Sequence, residues 1–262
     1  MTKPAVLESA DLSSDPTPAN QTAGRTMTGD PAVSLCTTAI IPAKALALTK
    51  TRLAPRLSDK ERMHISLHML LHTIRVTRNA LERIVVVSGD SALLRVVETE
   101  GAVPLVEQGT SLNAALLQAA ASADSGGAGA VLVLPSDLPL LTTDDVRTIT
   151  GFAAKCPAIA VAPSWRDGGT NALLLRPPSI HIFAFGPNSF SRHCTAARER
   201  GIEPHIFWSD TLAFDLDTPA DWDDLCARTG AHSFEELISL IKSSPSMRSG
   251  AHASLDNSRR AS

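Results

Sequence analysis

Short runs of β-branched and aliphatic residues alternate with stretches of helical period through the middle of this chain, and that alternation limits its fold more than any other feature. Thr38 to Pro42, Arg83 to Ser88, Val103 to Val106, Ala130 to Leu134, Ile159 to Ala162 and Asn171 to Leu175 read as strands. Between the first two, Ser58 and Glu61 form an S-x-x-E capping box. The box opens a helix over Asp59 to Arg78 with Met63, Leu67, Leu70, Leu71 and Ile74 as its apolar stripe. Ser111 can cap a second helix, Thr142 or Thr143 can start a third, and Ser189 to Arg200 reads as another, stopped by Gly201. Thr218 followed by Pro219 and Asp221 marks one more helix start. The expected fold is α/β: one domain with an open, mostly parallel sheet and helices on both faces.

Residues 1–36 and 243–262 are rich in Ser, Thr, Pro, Ala and Asp without sustained apolar period. Such segments cannot repay the entropy of ordering, so disordered tails are expected there, flanking one domain over 37–242. Aromatic residues are 4% and Tyr is absent, which leaves the core to Ala, Val, Leu and Ile. Stacking platforms for single-stranded nucleic acid are correspondingly scarce. A net charge of −3 argues against broad binding to nucleic acid or anionic membrane. No apolar run is long enough to span a bilayer, and the first residues lack a signal peptide's basic start and apolar stretch. A cytoplasmic location is expected. The four cysteines form no C-x-x-C pair and read as ordinary thiols.

Three segments could carry chemistry. The loop after the first strand holds Lys44, Lys50 and Arg52 where open α/β sheets bind ligands, at the carboxyl end of a strand. Mobile ammonium and planar guanidinium groups suit triphosphate oxygens, although a solvated basic loop would look the same. In Leu134-Pro135-Ser136-Asp137-Leu138-Pro139 an apolar strand ends in one carboxylate fenced by two prolines. Hard oxygen there suits Mg²⁺, and a turn cap is the plain alternative. In Asp215-Leu216-Asp217-Thr218-Pro219-Ala220-Asp221 the first two carboxylates project to one side of an extended segment. Asp217 could be a second metal ligand, or Asp217 and Asp221 could serve only the helix N-terminus.

Two kinds of loop could hold the rest of a ligand. Glu107 to Asn113, with Gly109, Leu112 and Asn113, joins a strand to a helix, and its polar groups could read a nucleobase edge or merely cap the helix at Ser111. Asp167 to Asn171 and Phe185 to Ser189 offer backbone N–H groups and hydroxyls unobstructed by Cβ, suited to phosphate or carboxylate. His64, His68 and His72 recur every four residues, which fits a metal face less well than a solvated flank. There is no G-x-x-x-x-G-K-[ST] and no G-x-S-x-G.

Taken in order, P-A-K with K-T-R-L, G-T-S-L-N-A-A, P-S-D-L-P-L, G-G-T-N-A-L-L-L-R-P, F-G-P-N-S-F and D-L-D-T-P-A-D resemble the guanylyltransferases of coenzyme F-420 biosynthesis that activate a phosphorylated three-carbon acid. The likeness runs from about Thr38 to Leu225. It implies a nucleotidyltransferase fold of the glycosyltransferase-A-like type, with GTP and 2-phospho-L-lactate, phosphoenolpyruvate or 3-phospho-D-glycerate as substrates and Mg²⁺ as cofactor. By motif, Asp137 and Asp217 would hold metal, Thr170, Gly186 and Ser189 would bind the phospho-acid, and the product would pass to a downstream transferase. Attack by an anionic phosphate oxygen needs no general base, so Lys44, Lys50 and Arg52 would act by neutralising the triphosphate. A glycosyltransferase of similar architecture, which should release no pyrophosphate, and a non-catalytic nucleotide-binding regulator are the rival readings.

Overall fold

The computed structural model describes residues 36–243, so both expected tails lie outside the described residues apart from Cys36 and Ser243. In chain order the regular elements are β1 (Thr37–Pro42), α1 (Asp59–Arg78), β2 (Arg83–Ser88), α2 (Ser91–Thr99), β3 (Val103–Val106), α3 (Leu112–Ser125) and β4 (Ala130–Val133). They continue with α4 (Thr143–Gly151), β5 (Ala158–Pro163), β6 (Thr170–Arg176), α5 (Ser189–Glu199), β7 (His205–Ile206), α6 (Pro219–Thr229) and α7 (Phe234–Ser243). The strands form one open sheet in the order β3-β2-β1-β4-β6-β5-β7.

β3, β2, β1 and β4 run parallel, whereas β6 is antiparallel to both its neighbours. The reversal follows from the connection: only a short turn separates β5 from β6, and a parallel pair needs a crossover. The sheet is therefore mixed. Side chains alternate across it. Ala39, Ile41, Val86 and Leu132 enter one core layer, and Ile40, Val85, Val87, Val131 and Val133 enter the other, beneath α3 and α5.

The sequence-expected caps are present. Ser58 and Glu61 close a reciprocal box on α1, Ser111 Oγ accepts from Ala114 N, and Thr142 with Asp145 and Thr218 with Asp221 form two further boxes. The buried face of α1 differs from the expected stripe: Ile65, Met69, Leu70 and Ile74 are buried, and Met63 is exposed. The rotation arises because α1 is covered twice, by the sheet and by α7. Leu237, Ile238 and Ile241 of α7 join Ile65 and Met69 in a third apolar cluster with Leu53 and Leu57. That cluster carries the loop that follows β1.

The histidine ladder is a solvated flank only at His64, which is exposed; His68 is half-buried and His72 is buried. His72 Nε2 lies 3.0 Å from Leu141 O, and burial pushes both His68 and His72 down to about 4. Among the described residues no three His, Cys, Asp or Glu side chains cluster as a metal site. All four cysteines are free, and no described helix is long and apolar enough to cross a membrane.

Candidate active site

A cleft of about 590 Å³ runs across the carboxyl ends of β3, β2, β1 and β4. Chain order reverses between β1 and β4, which is where parallel sheets open a crevice. Pro42 and Lys44 reach it from β1, Val87 from β2, Glu107 from β3, and Pro135, Ser136 and Asp137 from β4.

The loop after β1 closes one wall. It forms two single-turn 3₁₀ segments, Leu46–Leu48 and Thr51–Leu53, and Leu53 is fully buried in the third cluster. Between them Lys50 takes a left-handed backbone conformation, φ 54°, which an L residue adopts at a cost of roughly 1–2 kcal/mol. Thr49 Oγ1 lies 2.8 Å from both Leu46 O and Ser66 Oγ of α1, tying the turn down. The result aims the Lys50 ammonium inward, 2.5 Å from Asp137 Oδ2 and 3.7 Å from Asp217 Oδ1, with only 7% of the side chain exposed. Arg52 Nη1 lies 2.7 Å from the other oxygen of Asp217. Lys44 is exposed at the mouth of the cleft.

Asp137 and Asp217 converge because Leu216 N donates to Asp137 O at 3.2 Å, laying the 215–217 segment against the end of β4. The Asp137 carboxylate makes no cap hydrogen bond; its partner is Lys50. Capping of α6 falls to Thr218, whose Oγ1 accepts from Asp221 N, and to Asp221, whose Oδ2 accepts from the Asp217 and Thr218 backbone N–H groups. Asp217 therefore keeps its side chain for the cleft. Asp215 turns the other way: Ser164 Oγ and Asn171 Nδ2 donate to its Oδ1 at 2.8 and 3.1 Å. Burial, then the nearby Asp137 charge, hold its pKa above the ordinary carboxylate value.

At the β3 end the structure separates the three residues expected to meet a nucleobase. Leu112 lines the cleft and is partly exposed, with Leu48 exposed in the cleft lining too. Gly109 is packed against Ala114, where a Cβ would approach to 2.7 Å, and does not line the cleft. Asn113 is committed elsewhere: its amide donates to Phe185 O at 3.1 Å and accepts from Phe185 N at 2.9 Å. That pair of hydrogen bonds holds the 185–189 loop and occupies both polar atoms of the amide that the sequence offered for reading a base.

Thr170 and Ser189 are buried side by side, with Ser189 Oγ donating to Thr170 Oγ1 at 3.1 Å. His193, absent from the sequence reading, completes this group. Its Nε2 accepts from Ala184 N at 3.0 Å, so Nδ1 carries the proton toward Thr170 Oγ1 at 2.9 Å. Burial lowers its pKa to about 4, keeping it neutral near pH 7. Phe190 N donates to Gly168 O, joining the two glycine loops, and Gly186 holds φ 126°, a conformation other residues rarely adopt. Thr170 and Ser189 are thus buried together, Gly186 is exposed next to them and accepts from Ser189 N, and none of the three lines the cleft, which Phe185 does.

Comparison with known proteins shows the family and the fold. A family described as "Guanylyl transferase CofC like" matches residues 37–257. The chain is 42% identical over 193 residues, 73% of its length, to the phosphoenolpyruvate guanylyltransferase of Rubrobacter xylanophilus, covering 94% of that protein. It is 34% identical over 210 residues to the 2-phospho-L-lactate guanylyltransferase of Methanothermobacter thermautotrophicus, covering 78% of this chain and 91% of that one. Among solved structures, a Desulfovibrio desulfuricans G20 protein assigned to the nucleotide-diphospho-sugar transferases superposes with a TM-score of 0.65 at 16% identity. The superposition covers 79% of this chain and 94% of that one, a likeness of fold.

Proposed function

The chain belongs to the CofC-like guanylyl transferase family, and from that membership we propose that it transfers GMP from GTP to the phosphate of a three-carbon acid. The acid is 2-phospho-L-lactate, phosphoenolpyruvate or 3-phospho-D-glycerate, the reaction belongs to coenzyme F-420 biosynthesis in the cytoplasm, and the product passes to a downstream transferase. The observation that carries the reading is the meeting of Lys50, Arg52, Asp137 and Asp217 at one end of a cleft large enough for a nucleotide.

In this reaction a phosphate oxygen of the acid forms a bond to the α-phosphorus of GTP while the bond to the β-phosphate oxygen breaks, releasing pyrophosphate. The attacking oxygen is already anionic, so no proton must be removed. Among the described residues the cleft lining contains no histidine, and buried His193 accepts from Ala184 N at Nε2 and directs its Nδ1 proton to Thr170. The chain's contribution is placement and charge. Lys44, Lys50 and Arg52 would draw the triphosphate to the strand ends, and a desolvated ammonium such as Lys50 acts more strongly than one in water. Thr170, Ser189 and Gly186 would orient the acid from the far side of Phe185.

Two carboxylates sharing one cation are a hard-oxygen donor set that suits Mg²⁺, which commonly takes one or two protein carboxylates plus phosphate. Asp137 and Asp217 would hold it, and when bound it supplies neutralisation of the crowded phosphate oxygens. The test is incubation with GTP, Mg²⁺ and each acid in turn, following pyrophosphate. Release with at least one acid, matched by a guanosine diphospho-acid product, is expected. No release with any of the three overturns the reading.

A further inference from the structure

Glu107 is the one carboxylate lining the cleft that has no partner. Asp137 and Asp217 face Lys50 and Arg52, whereas the Glu107 side chain makes no hydrogen bond or ion pair among the described residues. Its Oε2 lies 3.8 Å from where a Cβ on Gly89 would stand, over the end of β2. The backbone around it is fixed on three sides. Glu107 N donates to Ser88 O at 2.9 Å, Gln118 Nε2 of α3 donates to Val106 O at 2.8 Å, and Gln118 Oε1 accepts from Gln108 N at 3.0 Å. One glutamine therefore grips the chain immediately before and after Glu107, so the backbone that carries this side chain is fixed before any ligand arrives.

Its place in the sheet says which part of a ligand it meets. β3 is three strands from β4, about 14 Å at the usual strand spacing. Glu107 is thus too far away to share a cation with Asp137, and a nucleotide with its phosphates at Lys50 and Arg52 would extend its base toward β3. An acceptor-only carboxylate facing a polyanionic ligand is tolerable only against a donor edge. Guanine has one: N1–H and the 2-amino group point the same way and match two carboxylate oxygens. Adenine and cytosine offer an acceptor at the corresponding ring nitrogen. Leu112 and Leu48, both exposed in the cleft lining, supply apolar surface for a planar ring.

We propose that Glu107 reads the N1–H and 2-amino edge of guanine and sets the preference of this cleft for GTP. This rests on the guanylyl-transfer reading, so the test measures binding apart from turnover. Equilibrium titration of wild type and Glu107→Gln with GTP, ITP, ATP and 2′-deoxy-GTP separates the base edge from the ribose. Wild type is expected to bind GTP at least about tenfold more tightly than ITP, which lacks the 2-amino group. Glu107→Gln should weaken GTP by about 10- to 100-fold and bring GTP and ITP together. Its melting temperature and its ratio of GTP to 2′-deoxy-GTP should stay unchanged.

No GTP preference in wild type overturns the proposal, as does an unchanged GTP/ITP ratio in the variant. A loss confined to the 2′-deoxy comparison also overturns it, by showing that Glu107 reads the ribose. Collapse of the GTP/ITP ratio without pyrophosphate release from any acid would leave this assignment standing and remove guanylyl transfer instead.

Discussion

Lys50 is placed by its backbone as much as by its charge. The left-handed turn and the buried anchor of Leu53 push its ammonium between two carboxylates that would otherwise repel. Replacing Lys50 with Met should therefore leave Asp137 and Asp217 facing each other and enlarge the rise in melting temperature that millimolar Mg²⁺ produces, compared with wild type. An equal rise in both proteins would argue against a cation site at this pair. Asp137→Asn should lower kcat by about 100-fold or more, the usual scale for losing a preorganised electrostatic contact. Its melting temperature should change little, because Asp217 remains 3.7 Å from the ammonium. Retention of more than about a tenth of the activity at saturating Mg²⁺ would contradict metal ligation. Asp215 behaves differently. Its pKa is raised in the fold, so the folded protein favours the protonated form, and the stability this carries is present at low pH and lost as pH rises through the raised value. Asp215→Asn should then be the more heat-stable protein near pH 7, with the advantage vanishing as pH falls below about 3.9, the ordinary Asp value. Melting curves across that range decide it. Asp137 and Asp217 stood out as candidates because each ends a short run two residues from a proline. His193 did not stand out, since its meaning depends on Ala184, and Glu107 was read only as part of the Glu107 to Asn113 loop, because Gln118 fixes its backbone only after α3 has packed.

At the level of elements, the strands and capped helices could be read because their signals are local: a box at Ser58, a cap at Ser111, an apolar run ending at Val133. α2 and α7 went unread although each had a local signal, Asp90 capping Ala92 and Leu93 in one and Leu237, Ile238 and Ile241 in the other. Both are short, and much of what makes them helices is the surface they cover. The face of α1 was misjudged for the same reason, since α7 covers the side that its own period would leave to solvent. Leu237 is fully buried against that side. Leu237→Ala should cost about 2–5 kcal/mol, read as a fall in denaturation midpoint, and leave the KM for GTP unchanged in protein that remains folded. A change in KM without loss of stability would mean that α7 acts on the site directly.

Across the whole molecule the sheet offers two regions, one on either side of Asp137 and Asp217, that the proposed reaction would assign to two substrates. The parallel strands β3, β2, β1 and β4 carry the cleft with the basic loop, whereas the reversed β6 begins at Thr170 and brings the glycine loops in from the opposite flank. The contact between the two sides is Phe185, which lines the cleft and is held by Asn113 at the head of α3. If GTP occupies the cleft and the acid the region behind Phe185, the two halves should separate in kinetics. Lys50→Ala and Arg52→Ala should raise the KM for GTP more than that for the acid, and Thr170→Val or Ser189→Ala should do the reverse. Thr170 and Ser189 also bond to each other in a buried pair with His193, so a stability loss of about 1–3 kcal/mol is expected from their replacement whatever their role. The discriminating quantity is therefore the ratio of the two KM values in folded protein. A fall in stability with both KM values unmoved would reduce Thr170 and Ser189 to a structural bond between β6 and α5 and place the acid elsewhere along the cleft.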